Sequence, residues 1–378
     1  MTDPRGRTRA LLDLARDRGF ALAGIAPLDP SRHAEAYRAW IEAGRHGEMA
    51  WLEANTDLRL DPSRLLDGGA RWALMVADLY ATRAEDPAER IPEGHGRIAR
   101  YARGRDYHKV IKKRLHALAD DARDRFGGAW RAFVDTAPVL ERELARRAGI
   151  GWVGKHTLVI HPRAGSWMLL GGIATTLELE IPGDQEPAAD HCGSCTRCID
   201  ACPTDAITPY SVDATRCISY LTIEHRSEID PVYHGPMGDW IFGCDICQEV
   251  CPHNSAREAP ALPGAWREPH EAYEARAASF DLLEVLGWDE DARRDRVSGT
   301  PMTRAKLGMF RRNALIAAGN RVRDHGDGAL RDTIERVAGD DAASPLVRAT
   351  AERVLAGLSA EHERADDGDE DAGDEPER

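Results

Sequence analysis

The chain has 378 residues, of which 42% are hydrophobic and 30% are charged, and it is long enough for two or three domains. It has no apolar run long enough to cross a membrane and its N-terminus lacks the apolar region of a secretory signal, so we expect a cytoplasmic protein with no membrane partner. The net charge of −14 argues against nucleic-acid binding, but ten acidic residues within 361–378 carry much of it, and the rest of the chain can still present a basic face to a polyanion.

Strands and helices alternate along the first part of the chain. The predicted strands are short apolar runs, at 21–26, 71–80, 130–134, 158–160 and 166–170. The predicted helices have apolar side chains three or four residues apart, at 5–20, at 107–126 and in the segment that Pro138 opens. We expect the last two strands to pair, and the prolines within 85–93 predict a loop. This alternation predicts an α/β domain over residues 1–182.

The second half of the chain has a different pattern. Pro and Gly at 181–189 predict a linker, and all eight cysteines follow within a segment that we assign to a ferredoxin-like domain at 183–262. Strand signals then stop, and helices are predicted at 280–288, 303–320, 328–338 and 345–358. Short connections between helices are typical of a HEAT-like helical-repeat domain, which we place at 263–358. The acidic residues 359–378 have almost no apolar side chains and are expected to be disordered.

Eight cysteines in a reducing compartment are expected to bind metal rather than to form disulfides. The run Cys192-x2-Cys195-x2-Cys198-x3-Cys202-Pro has the spacing of bacterial [4Fe–4S] ferredoxins, in which the fourth cysteine ligates the other cluster. A second run follows, with Cys217 and then Cys244-x2-Cys247-x3-Cys251-Pro. Exchange of the fourth ligands assigns Cys192, Cys195, Cys198 and Cys251 to one cluster and Cys202, Cys217, Cys244 and Cys247 to the other. Two zinc sites are the alternative, but zinc ribbons use cysteine pairs separated by longer loops.

Further motifs are spread over residues 8–358. They are Ile98-Ala-Arg-Tyr-Ala-Arg-Gly-Arg-Asp-Tyr-His108, Val134-Asp-Thr-Ala-Pro-Val-Leu-Glu-Arg142, Gly151-Trp-Val-Gly-Lys155, Cys217-Ile-Ser-Tyr-Leu-Thr-Ile-Glu-His225, Phe242-Gly-Cys-Asp-Ile-Cys-Gln-Glu-Val-Cys-Pro252, Gly299-Thr-Pro301 and Arg312-Asn-Ala-Leu-Ile-Ala-Ala-Gly-Asn320. In this order they resemble the epoxyqueuosine reductase family. The resemblance implies a cobalamin-dependent oxidoreductase with two [4Fe–4S] clusters that reduces epoxyqueuosine at the tRNA wobble position to queuosine. It also implies an N-terminal cobalamin-binding domain and a C-terminal helical domain that helps to hold tRNA.

The resemblance places the general acid of the family at Asp135. Deleting an epoxide oxygen consumes protons, which a positioned acid must supply. Asp135 follows a predicted strand at the carboxyl end, where open α/β sheets bind ligands, and burial near a cofactor predicts a raised pKa. The alternative is a helix cap before Pro138. Glu141 and Arg142, one helix turn further on, either orient a partner or form a surface ion pair.

Other family-like segments supply candidate contacts to the corrin or to phosphate, and a structural role is the alternative for each. They are Arg59, Tyr101, Tyr107, His108, Lys155 and Ser219. The sequence lacks an Asp-x-His-x-x-Gly signature for a cobalt-ligating histidine, since Ile111 stands where the motif after Asp106 has glycine, and we expect no lower protein ligand from that motif. The chain departs from the family at His156, Gly172 and His253, where we expect Asn, Glu and Trp.

Basic side chains crowd two predicted helices, and such groups can neutralise tRNA phosphates. One helix carries Lys109, Lys112, Lys113 and Arg114, and the other carries Arg304, Lys306, Arg311 and Arg312. A solvated helix face is the alternative for both. We expect a monomer that takes electrons from an unidentified low-potential donor.

Three other functions compete with this interpretation. A simple electron carrier has no use for the large α/β domain. A corrinoid reductive dehalogenase acting on small organohalides would usually have a twin-Arg export signal and would not need the basic helices after residue 300. A tRNA-binding protein with structural clusters leaves the Asp135 segment unexplained.

Overall fold

The computed structural model describes residues 3–81, 91–255 and 269–369. The strands are β1 (Leu22–Pro27), β2 (Trp72–Leu79), β3 (His95–Ile98), β4 (Trp130–Phe133), β5 (Trp152–Val153), β6 (Val159–Ile160), β7 (Met168–Thr175), β8 (Ile207–Thr208), β9 (Ser211–Val212), β10 (Trp240–Phe242) and β11 (Ser279–Asp281). The α-helices are α1 (Pro4–Asp17), α2 (Ala34–Glu42), α3 (Trp51–Ala54), α4 (Thr56–Leu60), α5 (Tyr107–Phe126), α6 (Glu141–Arg147), α7 (Arg197–Asp200), α8 (Ile218–Ile223), α9 (Ile246–Glu249), α10 (Leu282–Leu286), α11 (Glu290–Val297), α12 (Leu307–His325), α13 (Gly328–Ala338) and α14 (Pro345–Asp369). No helix in these ranges is both long and apolar enough to cross a bilayer.

A four-stranded sheet in the order β1-β2-β7-β4 organises the first part of the chain, and each neighbouring pair is antiparallel. Its two faces carry different side chains, because successive residues of a strand point to opposite sides. Leu74 and Val76 of β2 pack with α1 and α5, whereas Ala73 and Met75 pack with α6. The sheet is therefore covered on both faces, which explains why β2 and β7 are apolar along nearly their whole length.

A second core lies under the C-terminal helices. There α12 packs against α10, α13 and α14, and also against β10 of a small sheet in the order β10-β3-β11. Phe310 of α12 is fully buried and its ring stacks on that of Phe242 of β10 at 5.8 Å. The two cysteine runs are joined to both cores. In the second run, α9 follows β10 closely in the chain. Cysteines of both runs also pack with side chains of β5 and β6 from the first part of the chain.

Several sequence predictions agree closely with the structure, and α5 and α13 have the predicted bounds. The predicted pairing of 158–160 with 166–170 is wrong: β6 pairs with β5, and β7 is a central strand between β2 and β4. Asp135 does follow the carboxyl end of β4, as predicted, but the sheet is antiparallel, so the rule for ligand binding by open α/β sheets does not explain its position. Most of the predicted loop 85–93 lies outside the described residues.

Three further corrections concern helix and strand limits. The helix after Pro138 begins only at Glu141, so this proline precedes the helix instead of opening it. Strands do not stop after residue 263, since β11 pairs with β3. Helix α11 is a further element that the sequence analysis did not predict. The last helix continues to Asp369, into the segment that we expected to be disordered. Its residues 359–369 contain mainly Ala, Glu, Arg and Asp, and the first three favour helix.

Candidate active site and metal centre

Asp135 lies in the turn between β4 and α6 and is exposed. Its φ of +32° is in the left-handed region, which aspartate tolerates better than most side chains do. The turn places the carboxylate beyond the end of β4 and beside the N-terminus of α5. This backbone geometry, and not a parallel sheet edge, positions the group.

His108 is held between two carboxylates. Its Nε2 lies 2.8 Å from Oδ2 of Asp135, and its Nδ1 lies 2.8 Å from Oδ1 of Asp106. Asp106 is also the N-cap of α5, because its carboxylate accepts the backbone N–H of His108 at 3.1 Å. The ring of Tyr107 stacks on the imidazole with centroids 4.0 Å apart. The start of one helix thus fixes the orientation of a histidine against Asp135.

This arrangement makes His108 an imidazolium at neutral pH. Burial acts to lower its pKa, but the hydrogen bonds and charges of Asp106 and Asp135 outweigh burial and raise the pKa to about 9. For Asp135, the surrounding protein atoms remove part of its hydration and act to raise the pKa, but the hydrogen bond and charge of His108 lower it overall. The expectation of a raised Asp135 pKa is therefore wrong, since the sequence does not reveal that the histidine ring bonds to this carboxylate.

Two further charged groups come from the start of α6. Oε1 of Glu141 is buried and has no hydrogen-bond partner. Burial, and then the charge of Asp135, raise the pKa of Glu141 to about 8. Nη1 of Arg142 donates to the carbonyl and hydroxyl oxygens of Thr157, both at 3.0 Å. Glu141 and Arg142 therefore do not form the surface ion pair that was the alternative interpretation.

The eight cysteines are free thiols in two neighbouring groups. Helices α7 and α9, one from each cysteine run, pack against each other. Burial and then the nearby Cys192, Cys198 and Cys195 raise the pKa of Cys251 to about 11. In the other group, burial raises the pKa of Cys217, Cys244 and Cys247, and Cys202 adds to this effect at Cys217 and Cys247. The fold therefore brings the last cysteine of each run to the first members of the other run.

In the described part of the chain, no three His, Cys, Asp or Glu side chains converge tightly enough to share a single metal ion. A [4Fe–4S] cubane makes a different demand, because its four thiolates bind four different iron atoms. The backbone N–H groups of Ser219 and Tyr220, at the start of α8, point to the Cys217 thiol and act to lower its pKa. They favour the thiolate, which is the form that binds iron.

The second cysteine group and Asp135 both lie near Arg142. The charges of Asp135, Cys247 and Cys217 all act on the pKa of this guanidinium, although burial dominates and lowers it. The side chains of Asp135 and Arg142 nevertheless reach solvent. Asp135 and the second cysteine group are therefore close to the same guanidinium.

Comparison with known proteins agrees with this arrangement. The family "Epoxyqueuosine reductase QueG, DUF1730" matches residues 59–136, and the "4Fe-4S double cluster binding domain" matches residues 191–254. The epoxyqueuosine reductase of Xanthomonas campestris pv. campestris is 40% identical over 322 residues, covering 84% of this chain and 88% of that protein. The chain belongs to the epoxyqueuosine reductase family.

Two solved structures of this family resemble the fold. A crystal structure of epoxyqueuosine reductase with an epoxyqueuosine-modified tRNA-Tyr stem loop has a TM-score of 0.78 and 26% identity, over 93% of this chain and 89% of that chain. The Bacillus subtilis enzyme, captured with its catalytic aspartate loop swung out of the active site, has a TM-score of 0.75 and 25% identity over 97% and 95% of the two chains.

The predicted corrin contacts fall into separate places in this family member. His108, Tyr107 and Tyr101 lie together, since the Tyr101 and Tyr107 rings are 6.2 Å apart. Ser219 lies at the second cysteine group. Arg59 is buried in α4 with its Nε unpartnered. Lys155 is instead bound to the loop of the first cysteine run, because its Nζ donates to the carbonyls of Gly193 at 2.7 Å and Cys195 at 2.9 Å.

The predicted tRNA contacts also lie in different environments, from exposed to fully buried. Lys306 is exposed, and Arg311 is half-buried. Arg304 is partly exposed, forms a bidentate ion pair with Glu224 and lies over the ring of Trp51 at 4.8 Å. Arg312 is fully buried and donates to the carbonyls of Leu221, His225 and Ser227. The prediction that Arg312 binds tRNA is wrong, because its guanidinium is enclosed by internal carbonyls.

Sequence reasoning missed the roles of Asp106 and Trp51. Asp106 was weighed only as part of a cobalt-binding motif, whereas its place before α5 is the signal for a helix cap. Trp51 is 41% exposed, but nothing in its local sequence indicates that Arg304 covers its ring.

The departures from the family pattern have local causes. A Cβ on Gly172 in β7 would lie 2.5 Å from the Phe133 ring and 2.8 Å from the Met75 sulfur, so a larger side chain has no room there. His253 packs edge-on against Trp152 beside the first cysteine group. His156 is buried, and burial lowers its pKa to about 4.

Proposed function

We propose that this chain is an epoxyqueuosine reductase, which converts epoxyqueuosine in the wobble position of a tRNA anticodon to queuosine with two [4Fe–4S] clusters and cobalamin. This is an oxidoreductase activity and the last step of queuosine biosynthesis. The observation that carries the proposal is the chain Asp106–His108–Asp135, which ends at an exposed carboxylate, with Arg142 near both this carboxylate and the second cysteine group. A proton source and an electron source would thus lie near each other, as reductive removal of an oxygen requires.

Cys192, Cys195, Cys198 and Cys251 would hold one cluster, and Cys202, Cys217, Cys244 and Cys247 the other. The grouping of the thiols around Cys251 and around Cys247 supports this assignment. The second cluster is the one beside Arg142, and the first lies behind the exposed loop that begins at His191. Electrons would therefore enter at the first cluster and leave from the second.

Replacing Cys251 by serine is expected to remove the first cluster and leave the second, although Cys251 belongs to the second run of the sequence. Iron content should fall from about eight to about four atoms per chain. Turnover should be lost because the entry cluster is missing. Cys202→Ser is the matched variant, with loss of the second cluster. Paramagnetic resonance of the reduced proteins identifies which cluster remains, and loss of the same cluster in both variants would contradict the exchange of ligands.

The residues around Asp135 and Cys217 fit a corrin cofactor, since they combine aromatic side chains with polar groups. Both ring nitrogens of His108 bond to carboxylates, so this histidine would not be available to bind the cobalt. Tyr101, Tyr107 and Ser219 would line the cofactor, in keeping with their positions near Asp135 and Cys217. When bound, cobalamin supplies a strongly reducing metal centre. Arg59 remains a candidate through its unpartnered Nε, whereas Lys155 serves the cluster loop.

In this proposal, Asp135 is the catalytic acid, and His108 is its proton reserve. Asp135 is ionised in the resting protein because the imidazolium lowers its pKa. When the departing oxygen gains negative charge, the imidazolium proton moves to Asp135 and from there to oxygen. Asp106 holds the other ring nitrogen, which keeps the imidazole in position while its charge changes.

The tRNA would approach across the C-terminal helices. Arg304, Lys306 and Arg311 near the start of α12 remain the phosphate-binding candidates, while Lys109, Lys112 and Lys113 of α5 form a second basic group. The hydrogen bond with Glu224 is the main cause of the raised pKa of Arg304, and the charge of Asp135 contributes, so Arg304 lies within electrostatic range of the acid. We assign α10 to α13 and the first part of α14 to a HEAT-like domain at 263–358, following a ferredoxin-like domain at 183–262 and a cobalamin-binding domain at 1–182. The protein is proposed to act as a monomer served by a low-potential electron donor.

Anaerobic turnover tests the function. The protein with both clusters reconstituted would receive cobalamin, a low-potential reductant and tRNA carrying epoxyqueuosine, and the digested nucleosides would be identified by mass. Queuosine is the expected product. If both cofactors are bound and no queuosine forms, the proposed function is wrong. Replacing the tRNA by an organohalide in the same assay tests the alternative of a small-molecule reductase.

A further inference from the structure

Glu141 is a half-buried acid near Asp135, and one of its carboxyl oxygens is fully buried. It is the first residue of α6, and its Oε1 is buried without a hydrogen-bond partner. The groups that face its carboxyl are Asp135 from the preceding turn, His108 and Tyr107 from α5, and Arg142 from its own helix. A buried carboxylate oxygen without a donor is costly, and a protonated carboxyl avoids that cost.

The chemistry of the proposed reaction requires two protons. Both C–O bonds of the epoxide break, a C=C bond forms, and the oxygen leaves as water with two new O–H bonds. Two electrons, supplied by the low-potential donor, complete the balance. The chain from Asp106 through His108 to Asp135 holds one transferable proton, on the imidazolium. One further proton per turnover must therefore come from another group or from solvent.

We propose that Glu141 stores this second proton and delivers it through Asp135 to the departing oxygen. The inference rests on the proposed function, and it makes Glu141 a positioning residue that acts through Asp135. The backbone N–H of Asp135 interacts with the Glu141 carboxyl, so the acid and its store are tied to the same turn. Substrate binding that encloses Asp135 would also enclose the nearby store and limit its exchange with water.

The electrostatics agree with this geometry. Burial, followed by the negative charge of Asp135, raises the pKa of Glu141 to about 8. The group is therefore protonated at pH 7 and loses its proton as the pH rises through about 8. His108, with its pKa raised to about 9, holds its proton to a higher pH. Because Glu141 and His108 lose their protons at different pH values, we expect the rate of queuosine formation to decline in two stages as the pH rises.

Glu141→Gln removes the exchangeable proton and keeps the size of the side chain. In the holoenzyme at pH 7, the single-turnover rate of queuosine formation should fall about tenfold, less than the 100-fold or more expected for loss of a positioned acid. The decline in rate near pH 8 should disappear, while the decline near pH 9 remains. Affinity for tRNA should not change, because Glu141 does not contact the substrate.

The matched control is Glu143→Gln, on the same helix. Glu143 is also buried, but it accepts from Ser31 Oγ and pairs with Arg147, both at 2.6 Å. This variant should retain the wild-type pH profile. An alkaline decline near pH 8 that persists unchanged in Glu141→Gln would overturn the proton store.

Infrared spectroscopy of the resting protein reads the proton directly. With carbon-13 in the glutamate side chains, a carboxylic-acid carbonyl band should be present at pH 7, vanish as the pH passes about 8, and be missing in Glu141→Gln. Absence of such a band in the wild-type protein would overturn the inference even if the variant fails to fold. Failure of the proposed function would look different, since the wild-type protein would make no queuosine at any pH.

Discussion

Asp135→Asn is expected to reduce the single-turnover rate of queuosine formation by about 100- to 10,000-fold, the usual contribution of a positioned acid. Asparagine has the same shape but carries no transferable proton. It also tolerates the left-handed φ of +32° at this position, so the turn should keep its conformation. Iron content and cobalamin binding should be unchanged, which separates loss of chemistry from loss of structure.

The same substitution has a second, independent consequence at His108. Because the Asp135 carboxylate helps to raise the pKa of His108 to about 9, its removal should lower that pKa. The imidazolium would then lose its proton at lower pH in the variant, and nuclear magnetic resonance of the ring carbons measures the shift. Asp13→Asn, at an exposed carboxylate of α1, is the control and should alter neither quantity. A full wild-type rate in Asp135→Asn would exclude this residue as the acid.

Local signals in the sequence predicted the helices and the cysteine chemistry well. Helix α5 is continuous and amphipathic, with buried residues such as Ile111 and Leu115 at helical spacing, and Gly127 ends it with φ of +68°. The ferredoxin spacing is equally local, since three cysteines fall within seven residues. The family match and the double-cluster domain confirm the iron–sulfur interpretation and the resemblance to epoxyqueuosine reductases.

Strand pairing was predicted poorly because it depends on residues far apart in the chain. β7 is apolar throughout, and such a run is compatible with a central strand of several topologies. Its partners β2 and β4 are set by packing of α5 and α6 on opposite faces. The bridging by His108 is similarly non-local, because 27 residues separate it from Asp135. No pattern within either segment indicates that the two side chains meet. The sequence therefore could not predict the direction of the Asp135 pKa shift either.

Arg312 illustrates a different limit of the sequence. It follows Arg311, and two adjacent arginines on a helix resemble a basic surface. Consecutive residues on a helix point about 100° apart, however, and only one of them needs to face solvent. Asn313 is buried alongside Arg312 and donates to the carbonyls of Thr222 and Ile241. Together the two side chains satisfy backbone oxygens around α8 and β10, which is a structural role that composition cannot distinguish from tRNA binding.

Arg312→Ala is therefore expected to destabilise the protein by about 3–5 kcal/mol, because several buried carbonyl groups lose a charged donor at the same time. The substitution would leave the carbonyls of Leu221, His225 and Ser227 without their donor and would create a cavity in the second core. Urea denaturation of the holoprotein measures the effect. Because these carbonyls follow Cys217 by four to ten residues, release of iron from the second cluster should accompany unfolding.

The matched variant Lys306→Ala removes an exposed charge near the start of the same helix. It should change the free energy of unfolding by less than about 0.5 kcal/mol, as surface substitutions usually do. Its effect should instead be on tRNA affinity and on the salt dependence of binding, since each phosphate contact contributes to that slope. The two variants thus have opposite expected profiles. Unchanged stability with weakened tRNA binding in Arg312→Ala would show that the guanidinium reaches the substrate after all, and that its enclosure by carbonyls does not describe the working enzyme.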